Sequence, residues 1–231
     1  MGEMAVESKT GPARPTAFRR YFVWAQIIIV FAFLEFAIWA PTVEIRNRWG
    51  AIAAIIIVAL VLIDVLRDRP WRASLHRLGL GPPNVFGASV VLGTGLATLA
   101  LMLILVSSLG GQIPANPTLF PNLQSAWGYL IWALIQEFIL QSFFFNRFEE
   151  LYGSAAAVWI AATLFAAAHL PNPILTTATL IGALFFCEAF RRYRNIYPLA
   201  LVHAMLGLTI ALTVPDSLLH HMRVGIGYLR H

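Results

Sequence analysis

The chain has 231 residues, 59% of them hydrophobic and 12% charged, with a formal net charge of +5. That balance excludes a soluble globular domain. It does not signal nucleic-acid binding either, because the basic residues gather between apolar runs, where a membrane protein keeps its cytoplasmic loops. Sixteen phenylalanines and seven tryptophans suit a lipid-facing surface with aromatic anchors at its interfaces. The single cysteine, Cys187, excludes an internal disulfide and any multi-cysteine metal site. The fold class read from these facts is all-α, a polytopic membrane bundle of seven transmembrane helices.

In chain order, residues 1–17 hold Gly2, Gly11, Pro12 and Pro15 among scattered charges and read as a flexible cytoplasmic tail, not as a cleavable signal peptide. The transmembrane domain is expected over 18–214. Its first span, 21–40, follows Arg19 and Arg20 and contains Glu35, a carboxylate near one end that reaches the interface or pairs locally. The second span is expected at 49–66. Between 67 and 83, Arg67, Arg69, Arg72, His76 and Arg77 alternate with Trp71, Leu75, Leu78 and Leu80. The pattern suits a short amphipathic helix on an anionic leaflet, or a charged loop obeying the positive-inside rule. A third span, 86–109, carries Gly87, Gly93 and Gly95 for close helix contact. The Pro-containing loop 110–122 has no nucleotide or phosphate signature.

The stretch 123–147, LQSAWGYLIWALIQEFILQSFFFNR, organises the rest. It is long enough to cross a bilayer, yet Gln136, Glu137 and Gln141 sit near its middle, where a carboxylate is expensive and reads as a site. Gln136 and Glu137 point about 100° apart on a helix, whereas Glu137 and Gln141 share a face. Glu149 and Glu150 follow and are assigned to a solvated loop. An alanine-rich segment, 154–170, is barely long enough to cross and ends at His169, ahead of Pro171 and Pro173. Segment 174–190 contains Glu188, whose plain explanation is an ion pair with Arg191 or Arg192. The seventh span, 196–214, carries His203, and 215–231 is an amphipathic tail in which an eighth short or re-entrant segment is the alternative count. His220, His221 and His231 stand too near the terminus and interface to rank as ligands.

With the N-terminus inside, the regions 1–20, 67–77, 147–153 and 191–194 hold twelve of the 16 Lys and Arg residues, which favours that orientation in a bacterial inner (cell) membrane. No internal repeat is evident, which counts against an inverted-repeat transporter. Glu137, His169 and His203 thus lie in three separate apolar segments. A buried carboxylate with two imidazoles can share a proton or a water, and would suffice for a three-ligand zinc site. No HExxH or other dense ligand spacing is present, so no metal or cofactor is expected. An interhelical polar network that merely fixes packing is the competing reading.

In these residues the chain resembles the CAAX-processing and bacteriocin-processing (CPBP) family of glutamic-type intramembrane proteases, as a divergent member, over about residues 123–210. The family's paired-glutamate motif falls on Gln136 and Glu137, with Gln141 at the arginine position. Phe165 and His169 keep its Phe-x-x-x-His motif. His203 keeps the His of its His-x-x-x-Asn motif, and Gly207 replaces the asparagine. The resemblance implies an endopeptidase acting on a membrane-associated peptide, with membrane lipid as the other partner. In that family the first glutamate and the second-motif histidine activate water and the third-motif residues stabilise the oxyanion, roles that fall here on Gln136, His169 and His203, with Asn172 as a substitute donor for the one missing at Gly207. Gln136 cannot act as a general base, because an amide does not titrate near neutral pH. Either Glu137 has taken over that role after a rotation of its helix, or the chain is a lapsed member that keeps the scaffold and binds partners.

Overall fold

The computed structural model describes residues 16–67, 70–108 and 123–230. The tail over 1–15, Arg69, His231 and the loop 109–122 lie outside the described residues. All regular structure among the described residues is helical: α1 (Ala17–Ile38), α2 (Val43–Arg67), α3 (Trp71–Arg77), α4 (Val85–Ser108), α5 (Leu123–Glu137), a π-helix (Phe138–Phe145), α6 (Asn146–Tyr152), α7 (Ser154–Ala167), α8 (Pro173–Tyr193) and α9 (Tyr197–Thr213). Short turns of helix follow, α10 (Asp216–Leu219), a 3₁₀ turn (His220–Met222) and α11 (Ile226–Leu229). The protein is an all-α, integral membrane helix bundle.

Among the described residues five helices are long and apolar enough to cross a membrane, or six when α9 and the segment after it, bent by 116°, count as one broken span. The sequence count of seven is not reached on length and composition. The shortfall lies at α7 and α9, with 14 and 17 residues. At 1.5 Å per residue α7 is about 21 Å long, against a hydrocarbon core of about 30 Å. Large apolar side chains on the outside, among them Phe18, Ile28, Phe36, Leu101 and Ile104, are exposed, as a lipid-facing surface requires.

Packing inside relies on small residues, because lipid is as apolar as leucine and supplies no hydrophobic drive between helices. Ala157, Ala161, Ala162 and Ala166 of α7 are buried, and α7 packs on α8. A Cβ at Gly95 would meet Val202 of α9 at 2.6 Å, and one at Gly87 would meet Tyr193 at 2.7 Å, whereas Gly93 has nothing within 4 Å. Two of the three glycines expected to permit close contact do so.

Hydrogen bonds and ion pairs define two ends. At the basic end Arg19 pairs with Glu150 (2.6 Å), Arg147 with Asp64 (3.1 Å) and Arg194 with Glu149. Asn195 donates there to the Gly81 carbonyl at 2.8 Å. Glu149 and Glu150 are therefore half-buried, paired residues of α6 and not part of a solvated loop: the helix runs on to Gly153, whose φ of 84° ends it. α3 packs through Ser74 and exposes Trp71 and Arg72, in keeping with the amphipathic reading. At the opposite end the C-terminal segment folds across the bundle. Arg230 donates to the Pro41 carbonyl (2.6 Å), the Gly225 amide to the Leu170 carbonyl (2.8 Å) and Asn172 to the Leu219 carbonyl (2.9 Å).

Candidate functional site

α5, the π-helix and α6 form one apolar rod, in which the π-helix begins directly after Glu137. Each i→i+5 turn takes one more residue than an α turn, so the phase of the helix after Glu137 shifts by about one residue, or about 100°. The segment carries buried Gln141, Ser142, Phe143, Phe144 and Phe145 on what would otherwise be several faces. Asn146 closes it by donating from Nδ2 to the carbonyls of Gln141 (2.8 Å) and Ser142 (3.3 Å). Ser142 Oγ donates to the Leu78 carbonyl at 2.6 Å, anchoring the rod to the end of α3.

Glu137 is 0% exposed. Its Oε1 lies 2.9 Å from His203 Nδ1 of α9, and its Oε2 accepts from Gln141 Nε2 at 3.2 Å. With Glu137 as a carboxylate, which only accepts, the ring proton of His203 falls on Nδ1 and its Nε2 is the nitrogen turned away from Glu137. The His203 ring stacks on Phe186 of α8 (5.3 Å, 16° between planes) and meets the edge of Phe165 at 6.2 Å. Those contacts hold the imidazole in one orientation, and its side chain keeps 12% exposure, against none for Glu137. Within this pair, His203 is the member that keeps exposed surface.

His169 reaches the same cluster by another route. Its ring packs on Phe165 at 4.8 Å, and its Nδ1 faces the Phe165 carbonyl at 2.8 Å. The hydrogen bond of Glu137 thus goes to His203, and His169 spends Nδ1 on its own helix. A carbonyl oxygen only accepts, so Nδ1 of His169 carries the proton and Nε2 holds the lone pair. Gln136 is half-buried and stands outside this chain of hydrogen bonds. Asn172 is occupied otherwise: it caps α8 by accepting from the Leu175 amide (3.0 Å), and its Nδ2 donates to the carbonyls of Leu219 and Arg223 (2.9 and 3.2 Å). Both hydrogens of its amide are thus directed at backbone carbonyls of the C-terminal segment.

At Gly207, one turn beyond His203, the space of a side chain is filled by Tyr129 of α5. A Cβ there would lie 2.1 Å from the tyrosine hydroxyl oxygen and 2.9 Å from Cζ. Sequence reasoning missed Tyr129, since a tyrosine in an apolar span reads as an interfacial anchor. Gln26 and Asp64 were also missed. They hold the buried Arg147, Nε to Gln26 Oε1 at 2.9 Å and Nη2 to Asp64 Oδ2 at 3.1 Å, with its guanidinium 3.9 Å from the Phe143 ring centre. Glu35 accepts from Trp39 Nε1 at 3.1 Å, and Glu188 pairs with Arg191 (2.7 Å) and Arg192 (2.5 Å), the local bonds expected of each.

Two cavities lie away from the pair. A polar one of about 410 Å³ at the basic end is lined by Arg19, Asp64, Arg77, Arg147 and Glu150. An apolar groove of about 610 Å³ between α1 and α7 is lined by Trp24, Phe31, Trp159 and Leu164. Neither is lined by Glu137, His169 or His203. Among the described residues no group of three or more His, Cys, Asp and Glu side chains is arranged to hold a metal ion.

Residues 118–209 match the family described as Rce1-like, the type II CAAX prenyl endopeptidase Rce1-like proteins. The match takes in the rod, α7, α8 and most of α9, and leaves α1 to α4 and the C-terminal segment outside. No curated protein and no solved structure matches the chain.

Proposed function

We propose that the chain is a membrane-embedded endopeptidase in which the Glu137–His203 pair activates water against a peptide bond of a membrane-associated segment. The observation that carries the reading is the 2.9 Å hydrogen bond between an unexposed carboxylate and an imidazole on a neighbouring helix. An ionisable pair inside a lipid-facing bundle is costly and therefore marks a candidate site. The match over 118–209 supplies the reaction class.

Both oxygens of Glu137 are engaged, so it serves best as the group that fixes the tautomer of His203 and stabilises its charged form, while His203 Nε2 takes the proton. The water oxygen bonds to the carbonyl carbon as its proton passes to Nε2. Collapse of the tetrahedral intermediate then breaks the C–N bond, and the proton moves to the leaving amine. His169, whose ring packs on the same Phe165, offers a second lone pair at Nε2 to hold that water or amine. Hydrolysis thus rests on Glu137 and His203 first, with His169 in support, where the sequence alone had joined Glu137 to His169. The substrate class is a membrane-tethered peptide; a prenylated C-terminus is implied only by the family description.

The test incubates the purified protein in lipid with a library of membrane-tethered peptides. Cleavage by the wild type that is lost in Glu137→Gln and in His203→Ala supports the reading. Cleavage that survives Glu137→Gln defeats it, and cleavage abolished by a chelator and restored by zinc transfers the assignment to a metal site. A non-enzymatic scaffold is the second reading, favoured by a Glu137 with no exposed surface and by cavities that open elsewhere. No turnover by the wild type, with a gain on Gln136→Glu, would identify that lapsed state.

The proposed topology is seven crossings with the N-terminus cytoplasmic. Its support is that the ion pairs gather Arg19, Arg147 and Arg194 at one end, while the turn at Pro41 and the segment around Leu170 meet the tail at the other. α7 and α9 then each run from end to end in spite of their length, α7 with the help of the turns at 168–172.

A further inference from the structure

Glu137 has no exposed surface, the His203 side chain keeps 12%, and neither of the two cavities is lined by Glu137, His169 or His203. A peptide segment therefore meets the pair only after some part of the bundle has moved. That part has to border the site and be held less firmly than the helices around it.

The segment after α9 meets both conditions. It leaves α9 at a bend of 116° and lies across the end of the bundle opposite the basic one. There the Gly225 amide donates to the carbonyl of Leu170, the residue after His169, at 2.8 Å. Asn172 Nδ2 donates to the carbonyls of Leu219 and Arg223 at 2.9 and 3.2 Å, and the Asn172 backbone amide donates to the His169 carbonyl at 3.2 Å. The turn that carries His169 is thus tied to the segment through Leu170 and Asn172. A further bond, Arg230 Nη1 to the Pro41 carbonyl at 2.6 Å, reaches the turn between α1 and α2.

What holds the segment is mostly polar. Between Asp216 and Arg230 the buried residues are Leu219 and Gly225, whereas the rod and α7 bury rows of Phe and Ala side chains. Few buried apolar contacts and a handful of hydrogen bonds characterise a unit that opens locally while the rest stays folded. The closed form carries two further costs. His220, His221 and Met222 stand at φ of 49°, 53° and 57°, a left-handed conformation that non-glycine residues keep only under constraint. Nη1 of Arg223 is buried without a hydrogen-bond partner among the described residues. Within the segment, His221 Nδ1 lies 2.9 Å from Asp216 Oδ2 and the His220 ring packs on Tyr228 at 4.5 Å, which keeps it one piece. Val214, extended ahead of Pro215, joins that piece to α9.

We propose that residues 216–230 form a lid over the His169 end of the site, hinged at Val214, which lifts to admit the substrate segment and closes to set His169 in place. The inference rests on the endopeptidase reading and adds to it the element that controls access.

The experiment uses the full-length protein in lipid and a membrane-tethered peptide that the wild type cleaves. Opening is read with a thiol reagent on Leu219→Cys in a Cys187→Ala background, position 219 being 1% exposed when closed. Labelling is expected without denaturant, with the bundle still folded by tryptophan fluorescence. Asn172→Asp keeps the cap of α8 and removes both donors to the lid, and is expected to speed that labelling by about tenfold. Closure is imposed on Pro41→Cys with Arg230→Cys, in the same background, by a bismaleimide with a reducible centre that spans the gap the arginine spanned. The joined protein is expected to lose about tenfold or more in kcat/KM and to regain it on reduction, while a monofunctional maleimide leaves turnover within about threefold. Labelling of Leu219→Cys only at the denaturant concentration that unfolds the bundle overturns the lid. Cleavage by the joined protein at the unjoined rate overturns it as well and leaves the endopeptidase standing. Absence of any cleavage by the wild type overturns the endopeptidase reading, and the lid falls with it as a gate for substrate.

Discussion

At the residue scale, Glu137 has a size-matched replacement. Glutamine at 137 keeps the volume and a carbonyl to face His203 Nδ1, and removes only the charge that would stabilise an imidazolium. The expected outcome is a fall in peptide cleavage of about 10²–10⁴-fold with the fold unchanged. Cys187, the single cysteine and 0% exposed, reports the fold independently, because a thiol-reactive dye reaches it only on unfolding. Asp64 gives a stability counterpart. Its removal leaves the Arg147 guanidinium, whose side chain is 5% exposed, without its carboxylate. Losing one partner of a buried pair costs about 3–5 kcal/mol, and Asp64→Ala is expected near the lower figure because Gln26 and the Phe143 ring still hold the guanidinium. Thermal unfolding in detergent, followed by Cys187 labelling, measures the drop.

At the element scale, the break between α3 and α4 decides how the basic end is assembled. Gly79 has φ of 75°, and a Cβ on it would meet Phe190 at 2.4 Å and Ile196 at 3.2 Å. Gly79 also accepts from the Ile196 amide at 3.1 Å, tying the linker to the turn between α8 and α9. Alanine there adds a left-handed backbone penalty to an overpacked contact, about 1–2 and 1–3 kcal/mol respectively. The expected result of Gly79→Ala is a loss of at least about 2 kcal/mol in the same unfolding measurement. Periodicity cannot locate the π-helix at 138–145, since every residue of FILQSFFF except Gln141 and Ser142 is apolar and no face stands out. The shift in helix phase after Glu137 is therefore invisible in the sequence.

At the scale of the whole molecule, the orientation and the crossing of α7 are open to one labelling experiment. In a Cys187→Ala background, cysteines at Tyr152 and Leu170, both more than 40% exposed, bracket α7. The expected outcome is that a membrane-impermeant reagent reaches Leu170→Cys from outside the cell and Tyr152→Cys only after permeabilisation. Labelling of both from one face removes α7 from the crossings, and reversed labelling inverts the topology.

The amino-acid sequence by itself settled the class of the molecule, because burying 59% hydrophobic residues with so few charges has one outcome in contact with lipid. It also exposed Glu137, His169 and His203, since an ionisable group in an apolar run is costly enough to stand out without any knowledge of its partners. Partners were another matter. Which histidine meets Glu137, that Asn172 is spent on the tail, and that Tyr129 occupies the volume at Gly207 depend on helix phase and interhelical register. Those are set by a π-helical turn and by small-residue contacts between segments far apart in the chain. A carboxylate announces its cost locally, whereas the side chain that relieves that cost is chosen only when the helices pack.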